Sequence, residues 1–396
     1  MRNVVFVDGS RTGFGRMGGS IRQFHTSELL GMAIRALLDK TGIQERAAVD
    51  AVYAGSALHD AHTNNIARFA SLYAGLPYET SATFIEMQCG SGIACINHAG
   101  LSIAAGEIDI AIVGGAESHS QRFAKFSMSV EPYKLIPPAA IPNALSPVKE
   151  DAIKMLEISD LMAGIWNVSR TECDEFALRS QERAAHAISA GSFEDEIFPV
   201  TIPVKKGDPI VFAKDEHPRP GTTMEELSKL RAINPGGVTT AGNASGLNDG
   251  AAVVLMMAEE TALRLGYTPI ARWIGGADCG VDPKIMGIGP AFSNLRLLKR
   301  FGLTLDDIDI FECNEAFAAQ NISVIREMEK QTGLAIDQNK WNPNGGAIAF
   351  GHPNGASGGR IAMFTMKELR RRGGRYGLFS SCCGGGLGVS SLIECV

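Results

Sequence analysis

Short apolar runs alternate with longer amphipathic segments along most of the 396-residue chain. Apolar runs of this kind suit buried strands, whereas apolar positions three or four residues apart suit helices that cover a sheet. The alternation predicts a layered α/β fold with a mainly parallel sheet. The expected strands are 4–7, 49–55, 83–85, 109–113, 251–257, 271–274, 309–313 and 376–379, and the expected helices are 26–40, 64–75, 93–105, 169–191, 292–301 and 357–372.

The second part of the chain repeats the order of the first. The turn at Cys89 corresponds to the turn at His352, and Gly114-Gly115 corresponds to Gly384-Gly385. This internal repeat of roughly 120 residues is the strongest sign of organisation in the chain. Two copies of one α/β unit that face each other would bring matching strand ends to a shared cleft, which is a usual place for a site.

The pattern of apolar runs and amphipathic segments changes between the two copies. Residues 121–150 are rich in proline and show little periodicity, as expected of a binding segment or lid, and residues 197–212 predict a hairpin. We therefore predict an N-terminal half at 1–120, completed by about 249–270, an inserted loop domain at 121–248 and a C-terminal half at 271–396.

Composition narrows the class of protein. With 37 Lys and Arg against 43 Asp and Glu, the net charge is −6, which gives no basic field for nucleic acid or an acidic membrane. No apolar stretch is long enough to predict a membrane span, and the N-terminus resembles neither a signal nor a transit peptide. The eight cysteines form no CxxC pair, so we expect reduced thiols and a cytoplasmic protein.

Cys89 stands between an apolar run and two glycines, in the order strand end, tight turn and helix start. A thiol at a helix N-terminus gains from the helix dipole, which favours the thiolate, and glycines free backbone N–H groups as donors. The pattern predicts a nucleophile. The alternative is a small buried core cysteine, because cysteine is among the most buried residue types.

A formal GxGxxG motif at Gly13–Gly18 is a weaker signal. The glycines of a dinucleotide site open a helix directly, but the next helical pattern starts only near Thr26. We expect a glycine-rich loop that packs against the fold or joins an interface.

The second copy supplies partners for Cys89. His352 lies at a glycine-flanked turn predicted to join a strand to a helix, where it is either a base for the thiol or a structural cap. Cys382 and Cys383 precede a run of glycines, so a thiol acid/base beside oxyanion donors is one interpretation, and a strained vicinal disulfide is the other. Asn314 follows a buried strand and can donate through its amide.

At these residues the chain resembles the thiolase family over essentially its whole length. The resemblance depends on Cys-Gly-Ser-Gly at Cys89, Asn-Glu-Ala-Phe-Ala at Asn314, Gly-His-Pro-x-Gly-Ala-Ser-Gly at His352 and Cys-x-Gly-Gly-Gly-x-Gly at Cys382. Asn243–Gly250 is a fifth thiolase-like segment. The resemblance implies a thiolase-like duplicated α/β/α/β/α layered fold with an inserted loop domain.

The resemblance also implies roles in cleaving 3-ketoacyl-CoA with CoA, or in the reverse Claisen condensation. Cys89 would carry the acyl group, and His352 would activate it and share an oxyanion hole with a water held by Asn314. Cys382 would move the alpha proton, while Cys383 occupies a position that the family usually gives to an aliphatic residue. The N–H groups of Cys89 and Gly384 would form a second oxyanion hole.

For substrate binding, the resemblance implies that the inserted domain holds CoA, which is a substrate, and that neither a cofactor nor a metal is needed. Ser245 would lie near the pantetheine arm, Arg219 near the nucleotide end, and Met286 and Phe317 along the acyl pocket. A homodimer or homotetramer and a place in fatty acid metabolism are further expectations.

The segment at 155–160 departs from the family pattern. Many relatives have Met-Gly-x-Thr-Ala-Glu where this chain has Met155-Leu156-Glu157-Ile158-Ser159-Asp160. We expect a less restricted, more apolar acyl pocket than in acetyl-only thiolases. Two alternatives are a decarboxylating ketosynthase, which would need a second histidine or a lysine where this chain has Cys382, and a non-catalytic acyl-CoA-binding protein.

Overall fold

The computed structural model describes residues 1–396 except 128–130, 132, 135, 142, 143 and 152. The strands are β1 (Val4–Arg11), β2 (Gly15–Arg16), β3 (Ala51–Gly55), β4 (Ser81–Ile85), β5 (Ile110–Ser118), β6 (Val200–Ile202), β7 (Ile210–Phe212), β8 (Asn248–Ala258), β9 (Ala271–Gly280), β10 (Ile310–Cys313), β11 (Tyr376–Cys383) and β12 (Leu387–Cys395). The α-helices are α1 (Thr26–Thr41), α2 (Ile66–Tyr73), α3 (Ser91–Ala105), α4 (Met155–Ile165), α5 (Arg170–Ser189), α6 (Met224–Ser228), α7 (Glu259–Arg264), α8 (Gly289–Phe301), α9 (Ala318–Thr332), α10 (Ala347–Phe350) and α11 (Asn354–Arg372).

The main sheet of the described residues contains the two halves of the predicted repeat. Its order is β10-β11-β12-β9-β1-β8-β5-β3-β4, and β2 pairs with β8. The strands β1 and β9 form the junction between the halves, with Val4 opposite Trp273. At the β10 edge, a bridge from Phe311 to Trp341 takes the place that β4 has in the first half. The duplication is confirmed.

The prediction of a mainly parallel sheet is wrong. Among the described strands only β3–β4, β3–β5 and β10–β11 pair in parallel. The remaining pairs of the main sheet are antiparallel. One cause is the tight turn through Gly385 and Gly386, both at positive φ, which folds β11 back onto β12 as a hairpin. Apolar runs alone do not encode strand direction.

Three hydrophobic clusters define the layers. In one outer cluster α1 and α2 pack on β1, β3, β5 and β8, and in the other α8 and α9 pack on strands of the second half. The middle cluster joins α3 and α11 to both halves of the sheet. The order is therefore helix, first half of the sheet, helix, second half of the sheet, helix, as the family resemblance implied.

Glycines let the two central helices cross closely below the predicted site. A Cβ on Gly92 of α3 would lie 2.7 Å from the carbonyl oxygen of Gly355 in α11. A Cβ on Gly358 would overlap the backbone of Ile93. Both helices begin at this crossing, so their N-termini lie side by side.

Residues 121–248 contain α4, α5, α6 and the predicted hairpin, which forms as β6 and β7. Helix α5 packs on α9 and α10, and α4 packs on α9, so these elements cover the second half. The boundaries 121 and 248 of a separate domain stay a prediction. Parts of the proline-rich segment at 121–150 lie outside the described residues.

The residues before His352 differ from the prediction. They form the short helix α10 rather than a strand, so His352 joins two helices, and α11 begins at Asn354 instead of Ser357. The glycine-rich loop packs as expected: Gly15 pairs with Asp249 on β8. Among the described residues, none of the helices combines the length and apolarity that crossing a bilayer requires.

Candidate active site

Cys89 lies in a single 3-10 turn between β4 and α3. The preceding residue, Gln88, has a φ of 50°, a left-handed conformation that is costly for a residue with a side chain. Ser91 holds the turn, because its hydroxyl accepts from the N–H of Met87 and donates to the carbonyl of Gln88. The strained turn projects the partly exposed Cys89 at the helix N-terminus.

Hydrogen-bond donors surround the Cys89 sulfur. Asn354 Nδ2 donates to Sγ at 3.1 Å, and the backbone N–H groups of Cys89 and Gly384 also interact with it. These donors come from α11, from the Cys89 turn and from the end of β11. The two backbone N–H groups are those expected to form an oxyanion hole, and here they approach the sulfur.

Burial nevertheless raises the pKa of the Cys89 thiol to about 11. The carboxylate of Glu117 raises it further, while Asn354 and the backbone donors lower it. The expected gain from the helix dipole therefore does not leave a free thiolate at neutral pH. A base has to take the proton when the sulfur reacts.

His352 is a neutral imidazole and is the base that the sequence predicts for Cys89. Burial lowers its pKa to about 3, and His119 and Arg360 lower it as well. Nδ1 lies 2.7 Å from Ser357 Oγ, and Nε2 lies 3.4 Å from the amide nitrogen of Asn314. Because that nitrogen can only donate, we assign the imidazole proton to Nδ1 and a lone pair to Nε2. No direct His352–Cys89 hydrogen bond occurs among the described residues.

The position of His352 depends on the Asn243–Gly250 segment. The backbone N–H of His352 donates to Gly246 O at 3.2 Å and to Asn248 Oδ1 at 3.1 Å. The same segment pairs with the Asn314 loop through a bridge from Ala244 to Phe317. Ser245 N–H donates to Ala316 O at 3.0 Å. These contacts bring together the segments that carry Ser245, Phe317, Asn314 and His352.

Asn314 is completely buried, yet its Oδ1 accepts no hydrogen bond from the described residues. A buried amide oxygen usually has a partner, which can be an ordered water. The geometry thus suits a water beside His352 Nε2.

Cys382 and Cys383 are both free and buried, so the vicinal disulfide alternative is wrong. Burial raises the pKa of Cys382 well above its ordinary value, and the electrostatic interaction with Cys89 raises it further. At neutral pH this thiol is an acid that holds its proton.

Apolar side chains lie beside the Gly384 turn. A Cβ on Gly384 would contact Met155 at 2.9 Å and Leu145 at 3.1 Å. Met286 is buried in the cluster that contains Cys382, and Phe317 packs against this cluster. The predicted pocket residues therefore share one apolar region with Cys382.

Arg219 lies in a separate cavity of about 380 Å³, next to Gln181 and His217. Ser245 does not line this cavity, but a Cβ on its neighbour Gly246 would overlap the His217 ring. The structure therefore connects the two predicted CoA contacts through His217 rather than placing them together.

Sequence reasoning missed three residues around Cys89: His119, Glu117 and Asn354. Glu117 accepts from Ser56 Oγ and from the N–H groups of Ala57, Leu58 and Gly355, and burial raises its pKa to about 7. Asn354 fills the variable position of the His352 motif, and the residue type at that position was the available signal.

Comparisons with known proteins identify the family of the chain. Residues 4–260 match the thiolase N-terminal domain and residues 267–395 match the thiolase C-terminal domain. The chain belongs to the thiolase family. Similar members of this family are named thiolases or acetyl-CoA acetyltransferases, which are acyltransferases, and the chain is an acyltransferase.

A relative from Escherichia coli (strain K12), a 3-oxoadipyl-CoA/3-oxo-5,6-dehydrosuberyl-CoA thiolase, is 41% identical over 100% of both chains. The crystal structure of the Bacillus anthracis acetyl-CoA acetyltransferase superposes with a TM-score of 0.92 at 37% identity, covering 100% of this chain and 99% of that one. The crystal structure of human mitochondrial 3-ketoacyl-CoA thiolase in complex with CoA superposes with a TM-score of 0.89 at 37% identity. The match covers 100% of this chain and 98% of that one.

Proposed function

We propose that this thiolase cleaves 3-ketoacyl-CoA with CoA, and runs the reverse condensation, through an acyl group on Cys89. The observation that supports the proposal is the environment of the Cys89 sulfur, which interacts with the Gly384 N–H and lies within electrostatic reach of the Cys382 thiol. In the proposal, the Cys89 sulfur attacks and the Cys382 thiol moves a proton.

In the first half of thiolysis, His352 Nε2 takes the proton of Cys89, and Sγ attacks the 3-keto carbon. The N–H groups of Cys89 and Gly384 stabilise the resulting oxyanion. The bond between C2 and C3 then breaks, and Cys382 donates its proton to C2 of the departing acetyl-CoA. His352 and the water beside Asn314 stabilise the enolate oxygen in this step.

In the second half, the Cys382 thiolate takes the proton of the incoming CoA thiol. The CoA sulfur attacks the acyl group, the bond to Cys89 breaks, and His352 returns its proton to the departing thiolate. Protons and bonds balance over the cycle. Condensation follows the same steps in reverse, in which Cys382 removes a proton from acetyl-CoA.

The direct test is the loss of absorbance of a 3-ketoacyl-CoA when free CoA is added. The wild-type protein should consume the substrate, and Cys89→Ala should not. Turnover by Cys89→Ala would overturn the proposal. Inactivity of the folded wild type on every 3-ketoacyl-CoA offered would support the non-catalytic alternative.

For the acyl group, we propose aliphatic chains longer than acetoacetyl. Leu145 and Met155 beside Gly384, together with Met286 and Phe317, make the region near Cys382 apolar. A series from acetoacetyl-CoA to medium-chain 3-ketoacyl-CoAs tests this, with 3-oxoadipyl-CoA included because of the Escherichia coli relative's name. Equal or better turnover of acetoacetyl-CoA would count against an enlarged pocket.

We also propose that CoA binds with its nucleotide end at the Arg219 cavity and its pantetheine arm past Ser245, and that no further cofactor or metal is required. Arg219→Ala should then raise the KM for CoA with little change in kcat. The eight unpaired thiols support a cytoplasmic protein. A homodimer or homotetramer, checked by light scattering, and a role in fatty acid metabolism complete the proposal.

A further inference from the structure

A hydrogen-bonded chain from His119 through Asn354 ends on the sulfur of Cys89. His119 Nε2 lies 2.7 Å from Asn354 Oδ1, and Asn354 Nδ2 lies 3.1 Å from Cys89 Sγ. We propose that Asn354 is a further catalytic residue, which stabilises the Cys89 thiolate, and that His119 is a positioning residue, which orients the Asn354 amide. This inference rests on the proposed role of Cys89 as the nucleophile.

The orientation of the side-chain amide determines whether Asn354 presents a donor or an acceptor to the Cys89 sulfur. An asparagine presents an acceptor on one side and two donors on the other, so its orientation follows its partners. When Oδ1 of Asn354 faces His119, it accepts the hydrogen bond from Nε2–H of the His119 ring. The amide hydrogens on Nδ2 then face the Cys89 sulfur. This assignment follows from the hydrogen-bond network.

Both supporting residues are fixed in place. His119 is buried at the end of β5, and Asp249 of β8 accepts from the backbone N–H groups of His119 and Ser120. Asn354 is the first residue of α11, and the next N–H, that of Gly355, donates to the buried Glu117. The chain therefore connects three rigid elements at the point where α3 and α11 begin.

The charge on sulfur determines when this bond matters. A thiolate accepts a hydrogen bond much more strongly than a thioester sulfur does. The hydrogen bond from Asn354 is accordingly strongest when Cys89 attacks and when it departs, and weakest in the acyl-enzyme. Because it stabilises the charged states more than the acyl-enzyme, it speeds both half-reactions. His119 serves as a neutral donor, since burial lowers its pKa.

The experiment measures the second-order rate at which iodoacetamide alkylates Cys89 at pH 8, followed by mass spectrometry of the peptide that contains Cys89. Asn354→Leu, which keeps the volume and removes the donor, should slow alkylation by about tenfold or more, as expected for a hydrogen bond to a charged group. His119→Leu should slow it by a smaller factor, and His119→Gln, whose amide N–H can reach Oδ1, should restore most of the rate.

Because His119 acts through Asn354, the double variant Asn354→Leu/His119→Leu should be no slower than Asn354→Leu. The control is His98→Leu, an exposed histidine on the helix that begins at the Cys89 turn, which should leave the rate unchanged. Circular dichroism melts verify folding. If Asn354→Leu does not fold, the proposal is tested by comparing the alkylation rates of His119→Leu and His119→Gln.

Alkylation of folded Asn354→Leu at the wild-type rate would overturn the proposal. So would His119→Gln reacting as slowly as His119→Leu. Formation of an acyl group on wild-type Cys89 from 3-ketoacyl-CoA is measured separately. Absence of this acyl group would contradict the proposed function. The alkylation rates instead test the hydrogen bonds from His119 through Asn354 to Cys89.

Discussion

Cys382 and Cys383 are adjacent in β11, yet they pack into different hydrophobic clusters. Cys382 belongs with Met286 in the cluster of the second half, whereas Cys383 belongs to the middle cluster. A Cβ on Gly90 would overlap the Cys383 sulfur. Successive side chains of a strand point to opposite faces, so only Cys382 shares the apolar region assigned to the acyl chain.

This difference predicts unequal effects of removing the two thiols. Cys382→Ala should keep acylation of Cys89 by an activated acyl-CoA and lose condensation, because the group that moves the alpha proton is gone. Cys383→Ala is the matched control and should retain most condensation activity. Stopped-flow acylation and steady-state condensation measure the two steps. Equal loss of both steps in Cys382→Ala would refute the division of roles.

The reactivity of Cys89 should rise with pH. Its pKa is raised to about 11 by burial, and the pKa of His352 is lowered to about 3, so no imidazolium is available to hold a thiolate at neutral pH. Below the thiol pKa the thiolate fraction increases about tenfold per pH unit. Alkylation of the free enzyme by iodoacetamide should therefore climb steadily from pH 7 to 10. A plateau beginning near pH 7 would indicate a preformed thiolate–imidazolium pair.

Asn314 should matter for the transition state more than for binding. Asn314→Ala removes the amide beside His352 Nε2 and the group proposed to hold a water there. Loss of one oxyanion donor typically lowers kcat by about 100- to 1,000-fold. The exposed Asn339 provides the control, and Asn339→Ala should keep wild-type kinetics. A change confined to KM would argue against an oxyanion role.

The glycine contact between the central helices predicts a stability effect. Gly358→Ala would push a Cβ into the backbone of Ile93, and overpacking of this kind costs about 1–3 kcal/mol in unfolding free energy. Gly164→Ala is the control, since a Cβ at this exposed helical position meets nothing within 4 Å. That substitution should be neutral or stabilising by up to about 1 kcal/mol. Urea denaturation measures both.

Much of this architecture could be predicted from the sequence. The alternation of apolar runs and amphipathic segments predicted a layered α/β fold, and the recurrence of glycine turns predicted the duplication. The five layers were implied by the family resemblance. Strand direction could not be predicted in the same way, because β8 joins its sheet only after the long insertion and β12 joins through a hairpin. Such pairings depend on contacts between residues far apart in sequence.

The residues of the site likewise divide into those that the sequence indicates and those that only the folded structure shows. Cys89, His352 and Cys382 were recognisable because each lies in a glycine-flanked motif, and Asn314 because it follows a buried strand in the Asn-Glu-Ala-Phe-Ala segment. His119 carries no such motif. Its relevance depends on the 2.7 Å contact with Asn354, a residue 235 positions away in sequence, and only the folded chain brings the two together. The raised pKa of Cys89 likewise follows from burial, which the local sequence of the turn does not indicate.

The central claim is that Cys89 carries the acyl group, and mass spectrometry of the trapped intermediate tests it most directly. Cys382→Ala, unable to pass the acyl group on by condensation, is mixed with an activated acyl-CoA, quenched in acid and digested. The account predicts one acyl group, on the peptide that contains Cys89, and none in Cys89→Ala. An acyl group on Cys383, or one that persists in Cys89→Ala, would contradict it.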